Sequence, residues 1–109
     1  MSIWKTSSIE QTPTVVLSRW QVYEVTTPYM DHVTRHFVGY NETEREGRAS
    51  SNIQEFDVVA MRGLTRSGRV YQLSGPSGTH PDASYVWEHW KHINEVDTCR
   101  NITEEFEDA

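Results

Sequence analysis

His89 and His92, three residues apart with Glu88 beside them and His80 a little before, come nearer to a metal site than any other arrangement in this chain. On a helix that spacing sets two imidazoles on neighbouring surface positions and supplies two ligands. A site needs a defined third ligand, and none is in place. The expectation is therefore surface or half-buried histidines, with no metal and no cofactor assigned. His32 and His36 straddle a loop and a strand, where helical pairing does not operate. Glu24, Glu55 and Asp57 are the carboxylates nearest to acid–base work. Their expected part is that of strand-edge and turn charges, which keep a sheet soluble and discourage edge pairing. The chain has no Gly-rich phosphate loop, nucleophile elbow, paired cysteines or dinucleotide fingerprint, so no catalytic residue is assigned and the expectation is a protein that is not an enzyme.

Two surfaces remain as binding candidates. The first is Arg62, Arg66 and Arg69 with Tyr71, a forked cationic tip able to meet phosphate or an acidic protein face. Its bland counterpart is a solvated hairpin end whose arginines pair with Glu55 or Asp57. The second is the acidic group Glu42, Glu44 and Glu46, which together with the C-terminal acids suits a basic groove on a nucleic-acid enzyme. Charge of that kind mainly raises association rate and selectivity, so an aromatic anchor is still needed for affinity.

The elements that must position these groups are mostly strands. Val15 to Val25 is rich in β-branched and aromatic residues between Pro13 and Pro28, and Thr34 to Tyr40 follows after a connection too short for a crossover helix. An antiparallel pair is expected. Gly47 to Phe56 is assigned to a strand because Ser50-Ser51-Asn52 form helix poorly. Val58 to Leu64 leads into a hairpin that turns at Arg66-Ser67-Gly68 and restarts at Val70, so 47–73 should be a three-stranded meander. Gly75-Pro76-Ser77-Gly78 stops it. Thr79 as cap, Pro81 in the first turn and Asp82 near the positive end open one helix over 82–94, with Val86, Trp90 and Ile93 on one face and Ala83 and Trp87 beside them. The fold expected is α+β: a curved antiparallel sheet of about five strands, a small roll or barrel, closed by one C-terminal helix.

The 109 residues suffice for one compact domain, expected over 15–96, with residues 1–14 as an N-terminal arm and 97–109 as an acidic C-terminal tail, of which 97–103 either adds a short edge strand or trails off. Six acids against Arg100 in the last fifteen residues give −5 of the net −6, so the body is nearly neutral. That balance argues against a generic nucleic-acid binder. No run approaches a membrane span, the first residues lack a signal peptide's apolar centre, and Cys99 is the single cysteine. A cytoplasmic protein in a reducing compartment is expected.

The run Thr65-Arg66-Ser67-Gly68-Arg69-Val70-Tyr71-Gln72-Leu73-Ser74-Gly75-Pro76-Ser77-Gly78, preceded by Ser18 to Glu24 and Arg35 to Tyr40, resembles small uncharacterised proteins carried by phages and integrative elements of proteobacteria. The resemblance spans about residues 17 to 95 and brings no catalytic motif. It implies an accessory protein of a mobile element that binds a host or element-encoded target. The expected function is a non-enzymatic protein-binding module, with inhibition of a host nucleic-acid or defence complex as its sharpest form. The alternatives are a nucleic-acid-binding domain reading phosphate through Arg62, Arg66 and Arg69, and, last, a small enzyme.

Overall fold

The computed structural model describes residues 14–107. Of the expected N-terminal arm, only Thr14 falls among them. Seven strands and one α-helix follow the order β1 (Thr14–Thr26), β2 (Thr34–Asn41), β3 (Glu46–Ala49), β4 (Ile53–Asp57), β5 (Arg62–Thr65), β6 (Val70–Leu73), α1 (Pro81–Ile93) and β7 (Thr98–Asn101), with a 3-10 helix at Thr103–Phe106. The α+β class and the β1–β2 antiparallel pair stand as expected.

The sheet differs from the expected antiparallel roll in number, direction and closure. Its strands run β3-β2-β1-β6-β5-β4, with β7 on β1 as well, and it does not close into a barrel. β6 lies parallel to the first half of β1, Thr14 to Leu17, while β7 lies antiparallel to the last four residues. A thirteen-residue strand is long enough to take different neighbours at its two ends. Between Ser18 and Gln21 the register with β2 slips, and Arg19 takes a φ of 48°. This bulge puts Leu17 and Trp20 on the same face although they are three apart. Gly39 lies opposite, where a Cβ would come within 3.1 Å of Leu17 and 3.2 Å of the Trp20 backbone.

One consequence of the bulge is that β1 feeds two cores. Val15, Leu17, Trp20 and Val22 pack with Phe37, Tyr71, Leu73, Ile102 and Phe106 on one side. Val25 and Val38 meet Ala83 and Trp87 of α1 on the other.

The single strand expected over 47–56 is two, because Ser50-Ser51-Asn52 form a corner instead. Phe37 N–H donates to Ser50 Oγ at 2.8 Å, Arg35 N–H to Asn52 Oδ1 at 2.9 Å and Ser67 N–H to Ser51 Oγ at 3.1 Å. These short polar side chains replace ladder bonds and tie β2 to the β5–β6 turn. The meander is consequently β4-β5-β6, and β3 belongs to β2.

The helix begins where expected, but its cap is His80, not Thr79: Asp82 N–H donates to His80 Nδ1 at 3.0 Å. Ala83 and Trp87 are its buried residues, while Ile93 is exposed. Gly47 explains this rotation, since its missing side chain lets the Asp82–Ala83 backbone rest directly on β3. Nor does the helix end the chain. The segment set apart in sequence as an acidic tail folds back as β7 and the 3-10 helix, burying Ile102, Thr103 and Phe106. Val22 N–H donates to Thr103 Oγ1 at 3.0 Å to fix it there. Among the described residues no helix is long and apolar enough to cross a membrane.

Candidate functional site

The two charged groups singled out in sequence partly converge, and they do so inside the protein. Strand alternation puts Arg69, Tyr71 and Leu73 on the inward face, so Tyr71 is 2% exposed and Arg69 7%. Beside them lies Arg48, also 7% exposed and not anticipated from sequence. Its Nη1 is 3.4 Å from Glu46 and 4.0 Å from Glu44, and its Nη2 donates to Tyr71 Oη at 3.4 Å with the guanidinium over the ring. Burial pushes the Glu46 carboxyl above its ordinary value, and Arg48 and Arg69 draw it back down. The clue was local: acids stand two and four residues before an arginine hemmed in by Gly47 and Ala49. Chemically the cluster is an internal ion network, which holds β3 to β6.

The remaining members lie outside it. Arg62 and Arg66 are exposed, with Arg62 Nε donating to Gln72 Oε1 at 3.1 Å. Glu42 accepts from Ser18 Oγ at 2.8 Å. The expected three-arginine tip with its tyrosine is thus two exposed arginines.

Two of the histidines on and before α1 have local partners. His80 stacks on Tyr40 with centroids 3.9 Å apart, and His89 lies parallel to Tyr85 at 6.4 Å. Among the described residues no three His, Cys, Asp or Glu side chains are grouped to hold a metal ion.

His36 is the buried histidine among the described residues. Its Nδ1 lies 2.8 Å from Ser50 O, which only accepts, so the proton sits on Nδ1 and Nε2 accepts from Thr34 Oγ1 at 2.8 Å. Trp90 lies 4.5 Å from the ring, and Trp87 stacks on both Trp90 and Tyr23 at 5.0 Å. Burial holds the imidazole below its ordinary value, with the Ser50 bond opposing. Unfolded chains therefore take up this proton first as pH falls. The stabilisation is complete above the unfolded pKa of about 6.5 and is lost progressively below it. Urea midpoints should fall between pH 8 and pH 5, and His36→Gln should flatten that slope; an unchanged slope in the variant would assign it elsewhere.

Cys99 is exposed on β7, yet partial burial of its thiol raises the pKa, with Lys91 opposing. It should react with a disulfide reagent more slowly than free cysteine at pH 7.5, because thiolate is the attacking form. A rate equal to free cysteine would contradict that placement.

The open surface lies on the far side of the strands from the first core. Thr14 and Val16 of β1, Val70 and Gln72 of β6, Arg62 and Leu64 of β5, and Glu55 and Asp57 of β4 alternate outward there, in rows fixed by the pairings Val16–Gln72–Arg62–Asp57 and Thr14–Val70–Leu64–Glu55. Val16 and Leu64 are exposed, and α1 packs instead on β2 and β3. A shallow groove of about 210 Å³ runs between Glu55, Asp57, Arg62, Leu64 and Val70. At its end the β4–β5 turn is held by Asp57 Oδ1, which accepts from Val59 N–H at 3.0 Å and Ala60 N–H at 3.1 Å. Met61 completes the turn at a φ of 55°, and Val59 projects from it 90% exposed. Sequence reading passed over this face because its apolar residues are spread across four strands and only pairing assembles them. A second groove, of about 370 Å³, separates the β2–β3 turn from Tyr85 and Val86 of α1. No family model, curated protein or solved structure matches the chain.

Proposed function

We propose that the chain is a non-enzymatic protein-binding module whose partner docks on the outer face of β1, β6, β5 and β4. The observation that carries this reading is the apolar set Val16, Leu64 and Val59, exposed on a rigid sheet and on a turn locked by Asp57. Apolar side chains held in fixed positions bind at little entropic cost, and Leu64 has Val70 as its cross-strand neighbour on this face. The internal pairing of Glu44, Glu46, Arg48 and Tyr71 supports a binding role over a catalytic one. An accessory role in a mobile element accords with the resemblance noted in the sequence.

The test is a tagged pull-down from a bacterial lysate treated with nuclease and washed over a range of salt, comparing the native chain with Leu64→Glu and Val59→Glu. Both sites are exposed, so both variants should fold. A protein retained by the native chain and lost by the variants is the expected result. Recovery of nuclease-sensitive, salt-labile material alone would instead favour phosphate contacts through Arg62 and Arg66.

A further inference from the structure

β4 ends the sheet, and among the described residues β5 is its one strand neighbour. In an antiparallel pair alternate residues turn their N–H and C=O groups away from the partner, so among the described strands nothing pairs with the outward main-chain donors and acceptors of this edge. Its inward residues, Ile53 and Phe56, are anchored in the first core, and Phe56 packs on Phe106 at 4.8 Å. The edge is therefore held in an extended form before anything binds.

The side chains along it discriminate among occupants. Asp57 is engaged by its own turn. Glu55 is exposed, has no ion-pair partner among the described residues, and faces apolar Leu64 across β5. Arg62 lines the same groove from β5, and a further counter-charge can approach Glu55 from the open side. A second copy of this chain supplies the wrong one: antiparallel pairing of the whole strand Ile53–Asp57 with itself sets Glu55 against Glu55, which is destabilising.

We propose that the edge of β4 accepts an extended segment of a partner protein as an added strand, with a lysine or arginine of that segment beside Glu55 on the outer face and its alternate, apolar side chains beside Ile53 and Phe56 on the inner face. This inference rests on the outer-face reading above and names how the partner sits on it. Main-chain bonds to β4 supply affinity, and the alternation of basic and apolar side chains supplies selectivity.

The experiment follows backbone amides of the full chain by hydrogen exchange, alone and with millimolar eight-residue peptides alternating lysine with valine or glutamate with valine. The free chain should exchange quickly at the outward amides of β4, and the lysine peptide should slow them. Glu55→Lys should reverse the preference between the two peptides, by about fivefold in affinity in each direction. Amides of β4 already protected in the free chain would overturn the proposal, since the edge would then be held before any partner arrives. So would a lysine peptide that protects no β4 amide, or a preference unmoved by Glu55→Lys. In the lysate experiment, loss of the partner with Leu64→Glu but not with Glu55→Lys would leave the outer face standing and remove the added strand. Loss with neither would remove both.

Discussion

Replacing Gly47 by alanine should be among the most damaging single-methyl changes in this protein, lowering stability by about 3 kcal/mol or more and the melting temperature by roughly 15 °C. The added Cβ would lie 2.3 Å from the carbonyl oxygen of Asp82, 2.5 Å from its carbon and 2.7 Å from Ala83 Cα. All three are backbone atoms of the first helical turn, so no rotamer change relieves the contact. Relief requires α1 to lift from β3, which pulls Ala83 and Trp87 out of the second core. Gly63→Ala tests the first core in the same way, because its Cβ would fall 2.4 Å from Phe37 Cζ, and Phe37 is fully buried among Phe56, Tyr71 and Phe106. Gly75→Ala is the control. It has a φ of 68° and open space around it, so its cost is limited to the backbone strain of about 1 kcal/mol. Thermal and urea melts of the three variants decide the matter. A Gly47→Ala protein no less stable than Gly75→Ala would show that the helix does not bear on β3 as described.

The second large effect is expected at Arg48. Arg48→Met should cost about 3–5 kcal/mol at pH 7, the range found when one partner of a buried ion pair is removed. Methionine fills much of the volume, so the loss measures the stranded Glu46 carboxylate and the Tyr71 hydroxyl, not a cavity. The pH dependence carries the diagnosis. Glu46 already sits above its ordinary value through burial, and losing Arg48 removes one of the charges that oppose the rise. With the folded pKa above the unfolded one, the unfolded state sheds its proton first as pH increases. The stability associated with protonated Glu46 is present below the unfolded pKa and is lost as pH rises through the folded value. Arg48→Met should thus be less destabilised at pH 4 than at pH 7, and adding Glu46→Gln should restore part of the loss. A deficit that is the same at both pH values would mean that Glu46 remains solvated or that Arg69 suffices alone.

Elements governed by local chemistry were legible in the sequence. β-branched and aromatic density marks β1, Gly68 marks the β5–β6 turn, and Pro81 with Asp82 marks the start of α1. What was not legible depends on partners remote in sequence. The parallel pairing of β1 with β6 joins Val15 to Tyr71, and no spacing rule within either strand announces it. Ser50-Ser51-Asn52 correctly argued against a helix, but whether they continue a strand or turn it depends on Arg35, Phe37 and Ser67 offering donors to their side chains. The charged residues were grouped by nearness in number. Period-two alternation separates Arg69 from its neighbours and sends it inward with Tyr71 and Leu73, and Arg48 meets them only because β2 carries β3 across to that side.

The docking of β7 and the 3-10 helix onto β1 bears on the order in which the protein is made. β1 is synthesised before its neighbours, gaining β6 only after residue 73 and β7 only after residue 101. Ile102 and Phe106, which complete the core that β1 began, are synthesised about eighty residues after Trp20. Until then a nascent chain can pair β1 with β2 and, after residue 73, with β6, yet it leaves Tyr23 to Thr26 of β1 and one side of Phe37 uncovered. Long-range closures of this kind are slow and leave strand edges exposed to aggregation. The first core therefore cannot close before residue 106 is made, and a ribosome stalled before residue 102 would hold a product with its central strand still incompletely paired.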